Sequence, residues 1–355
     1  MSGYYGFGNL GDEALLTTIV DGIRRRRPAI ELDVLSADPA ATAKIYGVDA
    51  TPRADLRAVR AAIVRADAVL SGGGGLFQNA TSTRSLLYYA GIVRTAIRAG
   101  KKTMIFAQSI GPLDFIGRAI VRVACRGIGA ATVRDERSRT LLTQLLSNVT
   151  VERTADPVFL YDPMPAGDLA AEGLGNESGP LLVVSVRSSA NFSAVARTVA
   201  NAVDILAERY GARAAFLPLG GASDAEAATR VIRMARSSPV LLPAHDLAGA
   251  AAVIGRARAV IGMRLHALIL AARLGVPFLA IPYDPKVSAL CEDLGYPLPP
   301  LVDPAAEPPS KEQIESALDV FWSSREELAR HLHHAMSETR ARAERNFAVL
   351  DALIE

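Results

Sequence analysis

Cysteine is nearly absent. Only Cys125 and Cys291 occur in 355 residues, far apart and without CxxC spacing. Each sits in an apolar helical context and reads as a buried small hydrophobe of a reducing compartment, not as a catalytic or metal-binding thiol. Net charge is nearly absent too: 39 Lys and Arg oppose 37 Asp and Glu, giving a formal +2 and a pI near 8.6. That balance argues against nucleic acid as the main partner, so any cationic function must be local. No apolar run approaches the roughly 20 residues that span a bilayer. No basic-then-apolar signal segment opens the chain. The chain is therefore expected inside the cell. No His, Cys and carboxylate cluster has metal-site spacing, so neither a metal nor another cofactor is expected.

What is present is apolar residue, half of the chain. That is enough for sizeable cores, and the length suits two domains of roughly 150 residues each. Short β-rich runs alternate with helical patterns, which argues for parallel sheets of βαβ units. Strands are expected near 29–36, 67–71, 102–108, 130–134 and 149–153, with helices near 12–26, 54–66, 83–99, 115–127 and 136–146. Residues 161–180 are rich in Pro, Gly and small polar residues and read as a linker. A second series follows, with strands near 181–187, 213–218, 240–243, 259–263 and 277–282. Its helices fall near 193–209, 222–236, 246–256, 265–274 and 286–294. The expected domains are 1–160 and 181–310, with a charged helical tail over 311–355. The start is odd: a glycine loop and helix follow Met1 with almost no strand before them. Either that first strand is very short, or the chain begins later than its relatives do.

Four features carry chemistry. Gly6-x-Gly8-x-x-Gly11 matches the dinucleotide fingerprint in form. The carboxylates of Asp12 and Glu13 follow in the helix's first turn, where they suit the dipole but would repel a pyrophosphate. A plain turn-and-cap and a loop cradling a sugar through Asn9, Asp12 and Glu13 both remain open. Ser71-Gly72-Gly73-Gly74-Gly75 follows a strand, where open α/β sheets place ligands. It reads as a loop of close ligand approach at Gly73 and Gly74, or as a flexible connection. No GK[ST] follows, which excludes a Walker A loop. Arg134, Arg187 and Arg264 end strands, and Lys286 follows AIPYDP. Singly such cations are usually solvated; as a set they fit a small, multiply anionic substrate. His266 lies in the first helical turn after a strand, as a cap or as an acid–base group. The run Arg24–Arg27 either complements a helix C-terminus or meets anionic lipid headgroups.

Taken in order, GYYGFGNLGDEALL, SGGGGLFQN, FAQSIGPL, VRDERS, ADPVF and MRLHALILAARLGVPFLAIPYDPKV resemble the polysaccharide pyruvyl transferases over about residues 3–295. The nearest likeness is to the CsaB type, which acts on secondary cell-wall polymers and so bears on S-layer anchoring. The resemblance implies two facing Rossmann-like, doubly wound domains of the GT-B kind, holding a small phosphorylated substrate between them. It implies phosphoenolpyruvate as donor and a ketal-linked pyruvate on N-acetylmannosamine in a lipid-linked precursor. It also implies peripheral contact with the inner face of the cytoplasmic membrane. The family's arginine falls on Arg134, its histidine on His266 and its lysine on Lys286. Asn9, Asp12, Glu13, Gly73 and Gly74 would then face the acceptor. Arg134, Arg264 and Lys286 would hold the donor, Arg187 would be a further substrate-binding cation, and His266 and Arg134 would be the catalytic pair. The rival classes are a GT-B glycosyltransferase using a nucleotide sugar and a non-catalytic binding or scaffold protein.

Overall fold

The computed structural model describes residues 1–80, 82–163, 179–189, 192–302 and 308–355. Most of the expected linker, residues 164–178, lies outside these. The chain divides into two compact units: Met1–Tyr161 with Glu338–Glu355, and Asp162–Ser337.

The first unit runs β1 (Ser2–Tyr5), α1 (Leu10–Arg26), β2 (Asp33–Ser36), α2 (Pro39–Tyr46), β3 (Asp49–Pro52), α3 (Leu56–Arg65) and β4 (Ala68–Phe77). It continues with α4 (Thr83–Arg98), β5 (Lys102–Ile110), α5 (Phe115–Ala124), β6 (Ala130–Val133), α6 (Glu136–Leu145) and β7 (Val151–Arg153). A 3-10 turn, Pro157–Leu160, follows. The sheet order is β3-β2-β1-β4-β5-β6-β7, all parallel.

The first strand is thus present and central, though only four residues long. It is held between β2 and β4, with Ser2 opposite both Leu35 and Ser71. Two elements were not expected from sequence, α2 and β3. The glycine run is corrected as well. It is not a loop after β4 but the second half of that strand, pairing Gly72 with Phe106 and Gly74 with Gln108 before the register shifts.

The second unit runs β8 (Leu181–Ser185), α7 (Phe192–Tyr210), β9 (Arg213–Phe216), α8 (Ala222–Ile232), β10 (Val240–Leu241) and α9 (Leu247–Arg256). After these come β11 (Ala259–Gly262), α10 (Leu265–Arg273), β12 (Phe278–Ala280), α11 (Pro285–Asp293) and α12 (Lys311–Ser323). The order β10-β9-β8-β11-β12 is again parallel throughout. All five residues of β8 are buried, as expected of a parallel strand covered by helices on both faces. The charged tail forms α12 and α13 (Arg325–Ile354), and from Glu338 onward its residues belong to the first unit.

Helix starts explain many of the acids. Asp38, Asp55, Asp114, Asp135, Asp246 and Asp284 each cap a helix, accepting from one or more backbone amides of its first turn. The basic end of α1 is also accounted for internally. Arg24 donates to the Tyr46 and Gly47 carbonyls at 2.7 and 2.6 Å. Arg26 pairs with Glu344, and Arg27 meets Asp351 at 2.9 Å. Three arginines of that run therefore have partners within the first unit.

Candidate functional site

In each parallel sheet the chain reverses its direction of winding at one place, and strands there leave a crevice at their carboxyl ends. In the first unit that place is between β1 and β4; in the second, between β8 and β11. Most sequence-predicted residues fall beside these two places; Lys286 follows the next strand, β12, and Arg134 follows β6, two strands from β4.

In the first unit the turn after β1 brings Asn9, Asp12 and Glu13 to the start of α1. Asn9 Nδ2 donates to Asp12. Glu13 accepts the Gly6 amide at 2.8 Å and the Tyr46 hydroxyl at 2.7 Å. Glu13 thus ties the β1 turn to α2. Burial, and then the Glu13 charge, push the Tyr46 hydroxyl far above its ordinary range. The glycines serve packing: a Cβ on Gly73 would meet Leu15 at 3.0 Å, and one on Gly74 would meet Asp12 Oδ1 at 3.0 Å. Both have positive φ, +67° and +76°. The glycine kink lets the first turns of α1 close on β4 and sets Asp12 beside it.

Arg134 follows β6 and is buried, with 6% of its side chain exposed. Its Nη1 donates to Asp156, and its Nε donates to Ser109 Oγ at 2.7 Å. Ser109 donates in turn to Asp135 at 2.9 Å, the acid that caps α6. Arg134 is the centre of a buried polar network joining the ends of β5 and β6 to the 3-10 turn. Sequence reasoning missed Ser109 and Asp156, which lie 25 and 22 residues away. It also missed Arg53, at the end of β3, whose guanidinium lies 4.8 Å from the Phe7 ring and 4.6 Å from Tyr88.

In the second unit, β8 delivers Arg187, β11 delivers Arg264 and His266, and β12 delivers Lys286. His266 is the second residue of α10, in its first turn, and its Nε2 is shielded from solvent. Arg264 occupies the N-cap position of the same helix without capping it, and points its guanidinium at Asp224, with Nε–Oδ2 at 2.7 Å and a second bond from Nη2. Asp224 also accepts the Gly220 amide at 2.7 Å. Arg264 therefore carries its own counter-ion. Arg187 and Lys286 share one aromatic ring. The Arg187 guanidinium lies 4.8 Å from the Tyr283 centroid and donates to its hydroxyl at 3.1 Å; Lys286 Nζ is 5.7 Å from the centroid. Lys286 also meets Asp284 at 3.3 Å. Tyr283 and Asp224 were not singled out from sequence. Tyr283 stands inside the same YDPK stretch as Lys286, and Asp224 lies just after Gly220-Gly221.

Among the described residues, no group of three or more His, Cys, Asp or Glu side chains could hold a metal ion. No helix among them is long and apolar enough to cross a membrane.

A model of the polysaccharide pyruvyl transferase family matches residues 9–285, most of the chain. This chain belongs to the polysaccharide pyruvyl transferase family. It is accordingly a transferase enzyme. A comparison with curated proteins finds no match. Solved structures show the fold. The UDP-GlcNAc 2-epimerase from Neisseria meningitidis bound to UDP-GlcNAc is 11% identical, with a TM-score of 0.66 and 100% of both chains covered. Anabaena Alr3699/HepE in complex with UDP-glucose is 12% identical, with a TM-score of 0.63, covering 99% of this chain and 96% of that one. The S. aureus MnaA–UDP structure is 12% identical, with a TM-score of 0.60, 95% and 91% covered. These likenesses support the expected GT-B-like α/β class with two Rossmann-like sheets.

Proposed function

We propose that this pyruvyl transferase moves the pyruvate unit of phosphoenolpyruvate onto a sugar as a cyclic ketal and releases phosphate. The observation that carries this reading is the second unit's sheet edge. There Arg187 and Lys286 flank Tyr283, close in the fold to the His266 helix start. Phosphoenolpyruvate carries a carboxylate and a phosphate on one small frame, and several fixed cations are needed to take it out of water. Arg187 and Lys286 are the cations least committed to buried partners. Arg264, held by Asp224, shapes the turn ahead of His266 and lends charge at longer range. Arg134 acts from its buried network in the first unit.

In this scheme the donor's methylene gains a proton, and its central carbon becomes electrophilic. One sugar hydroxyl attacks that carbon, the phosphate leaves, and a second hydroxyl closes the ketal. Of the two hydroxyl protons, one matches that gained by the methyl group and the other leaves on phosphate. His266, at a helix start, is the group assigned to these transfers. The acceptor reading places a sugar against Asn9, Asp12 and the turn after β1. N-acetylmannosamine in a lipid-linked cell-wall precursor is the acceptor we propose, with the enzyme working at the inner membrane face.

Incubation with phosphoenolpyruvate and an N-acetylmannosaminyl acceptor should release inorganic phosphate and give a product heavier by one ketal pyruvate. A second reading is favoured by the solved relatives, several of which hold UDP or a UDP-sugar. Calorimetric titration with UDP-sugars separates the two. Turnover with a nucleotide sugar, and none with phosphoenolpyruvate, would replace the first reading by the second.

A further inference from the structure

The surface of the first unit is unevenly charged and unevenly apolar, and the two imbalances coincide. Residues 83–126 span α4, β5 and α5, and they carry eight basic side chains against one acid, Asp114. That acid is engaged as the cap of α5, accepting the Gly117 amide at 2.7 Å. On α5, Phe115 is 87% exposed, Ile116 61% and Val123 64%; on α4, Leu87 is 53% exposed. Helical spacing puts Phe115, Ile116, Arg122, Val123 and Arg126 on one side of α5 and its C-terminal turn. Successive right-handed crossovers put α4 and α5 on the same face of the sheet.

At the C-terminal end of α5, Arg122 and Arg126, with Arg94 of α4, line a groove of about 480 Å³ whose other side is the end of α6. Arg94 Nη1 reaches the Arg126 carbonyl at 3.5 Å. Among the described residues, none of these three arginines forms an ion pair. A large aromatic ring almost wholly in water, on the same side of α5 as unneutralised guanidinium groups, is costly on a free surface. It is the composition of an interfacial helix.

A second exposed apolar group exists on α2 and α3, at Ile45, Leu56 and Val64. Residues 37–67 there hold five basic and four acidic side chains, so that face has no net field. Charge separates the two faces and selects the partner.

We propose that the α4–α5 face docks the enzyme on an anionic phospholipid surface. Phe115 and Ile116 enter the headgroup layer, and Arg94, Arg122 and Arg126 receive lipid phosphates. Each arginine near such a surface adds attraction that falls off within a Debye length, so binding is salt-sensitive while apolar insertion leaves a residue that is not.

The test is flotation of the full chain with vesicles of phosphatidylcholine alone or with about a third phosphatidylglycerol. Wild-type protein should float with the anionic vesicles and not with the neutral ones. Phe115→Ser with Ile116→Ser, and separately Arg122→Glu with Arg126→Glu, should each weaken binding about tenfold or more. Arg57→Glu with Arg60→Glu on α3 should stay within about twofold. These side chains are exposed, so thermal melts should coincide with wild type. Equal binding to neutral vesicles, unchanged binding by both α5 variants, or equal loss in the α3 variant would each overturn the proposal. So would a wild-type dimer in sedimentation that Phe115→Ser dissociates with no vesicle binding, since the face would then pair copies. Vesicle binding requires no phosphoenolpyruvate, so its failure leaves the donor reading standing, and the converse holds.

Discussion

Arg264 and Asp224 are joined by two hydrogen bonds, Nε to Oδ2 at 2.7 Å and Nη2 to Oδ1. The Asp224 side chain is fully buried, and it also accepts the amides of Leu219 and Gly220. One acid therefore fixes both the turn after β9 and the residue that precedes the His266 turn. At this sheet edge Arg264 is answered by a fully buried acid, whereas Lys286 meets the part-exposed Asp284.

Breaking that pair should cost stability before it costs chemistry. Asp224→Ala strands the Arg264 guanidinium and two amides. Removing one partner of a buried pair costs roughly 3–5 kcal/mol, and the low end applies because 15% of the Arg264 side chain remains exposed. Urea unfolding should show a clearly lower midpoint with an unchanged slope. An unchanged midpoint would mean that the pair is not what holds this turn.

Arg134→Ala should behave similarly in the first unit, with a further effect on the donor. The substitution leaves Asp156 buried without its cation and removes the donor to Ser109. The loss should again be roughly 3–5 kcal/mol. Arg134→Lys keeps the charge but cannot reach Ser109 and Asp156 in one fork, so it should fall between. Calorimetry on folded Arg134→Lys then isolates the proposed donor role. Unaltered affinity for phosphoenolpyruvate would confine Arg134 to architecture.

Why the sequence shows some of this and hides the rest is visible at particular residues. Strands such as Leu181–Ser185 and helices such as Leu56–Arg65 declare themselves by apolar runs and by the Asp55 cap. The first strand does not, because Ser2–Tyr5 is too short to show a period. Its place in the sheet comes from partners at Leu35 and Ser71. The run Gly72–Gly75 looks like a loop because glycine has low strand preference. Pairing with β5 carries it on as a strand, and the kink is filled by Leu15 and Asp12. His266 and Lys286 were legible as residues after strands. The partners of Arg134 and Arg264 were not, since an ion pair across 22 or 40 residues leaves no local pattern.

The two thiols should be inert in the folded enzyme. Burial raises the Cys125 thiol to about 12; burial, with the Glu292 charge adding, raises Cys291 to about 11. Alkylation by iodoacetamide at pH 8 should therefore be slow until denaturant is added. The sign of the pH effect follows. Between about pH 9 and each folded value, the unfolded chain has lost thiol protons that the folded chain keeps. Stability should then fall as pH rises through that window. Rapid labelling of native protein at pH 8 would show that these sites open readily.

Tyr283 should matter through its ring more than through its hydroxyl. Tyr283→Phe keeps the face on which Arg187 and Lys286 rest and gives up one contact of 3.1 Å. Tyr283→Ala releases both cations. A cation over an aromatic ring is worth about 0.5–2 kcal/mol, so donor affinity in the alanine variant should fall several-fold to about thirtyfold. The phenylalanine variant should stay within about threefold. Equal losses in both would shift the role from the ring to the hydroxyl.

His266→Asn decides whether the helix-start histidine does chemistry. Asparagine retains a hydrogen-bonding side chain in the first turn of α10, and the buried apolar residues Leu265, Ala267 and Leu268 around it are untouched. The fold should survive, and thermal melts should show this directly. Asparagine cannot carry a proton, and general acid–base catalysis is typically worth about 100- to 10,000-fold. Turnover should drop by that order while phosphoenolpyruvate affinity changes much less, since Arg187 and Lys286 remain on Tyr283. Wild-type kcat should also show a pH limb that the residual activity of the variant lacks. The donor's own phosphate also titrates, so the limb carries meaning only in that comparison. A folded His266→Asn enzyme with near-normal turnover would return His266 to helix packing and would send the search for the proton carrier to other groups at the two sheet edges.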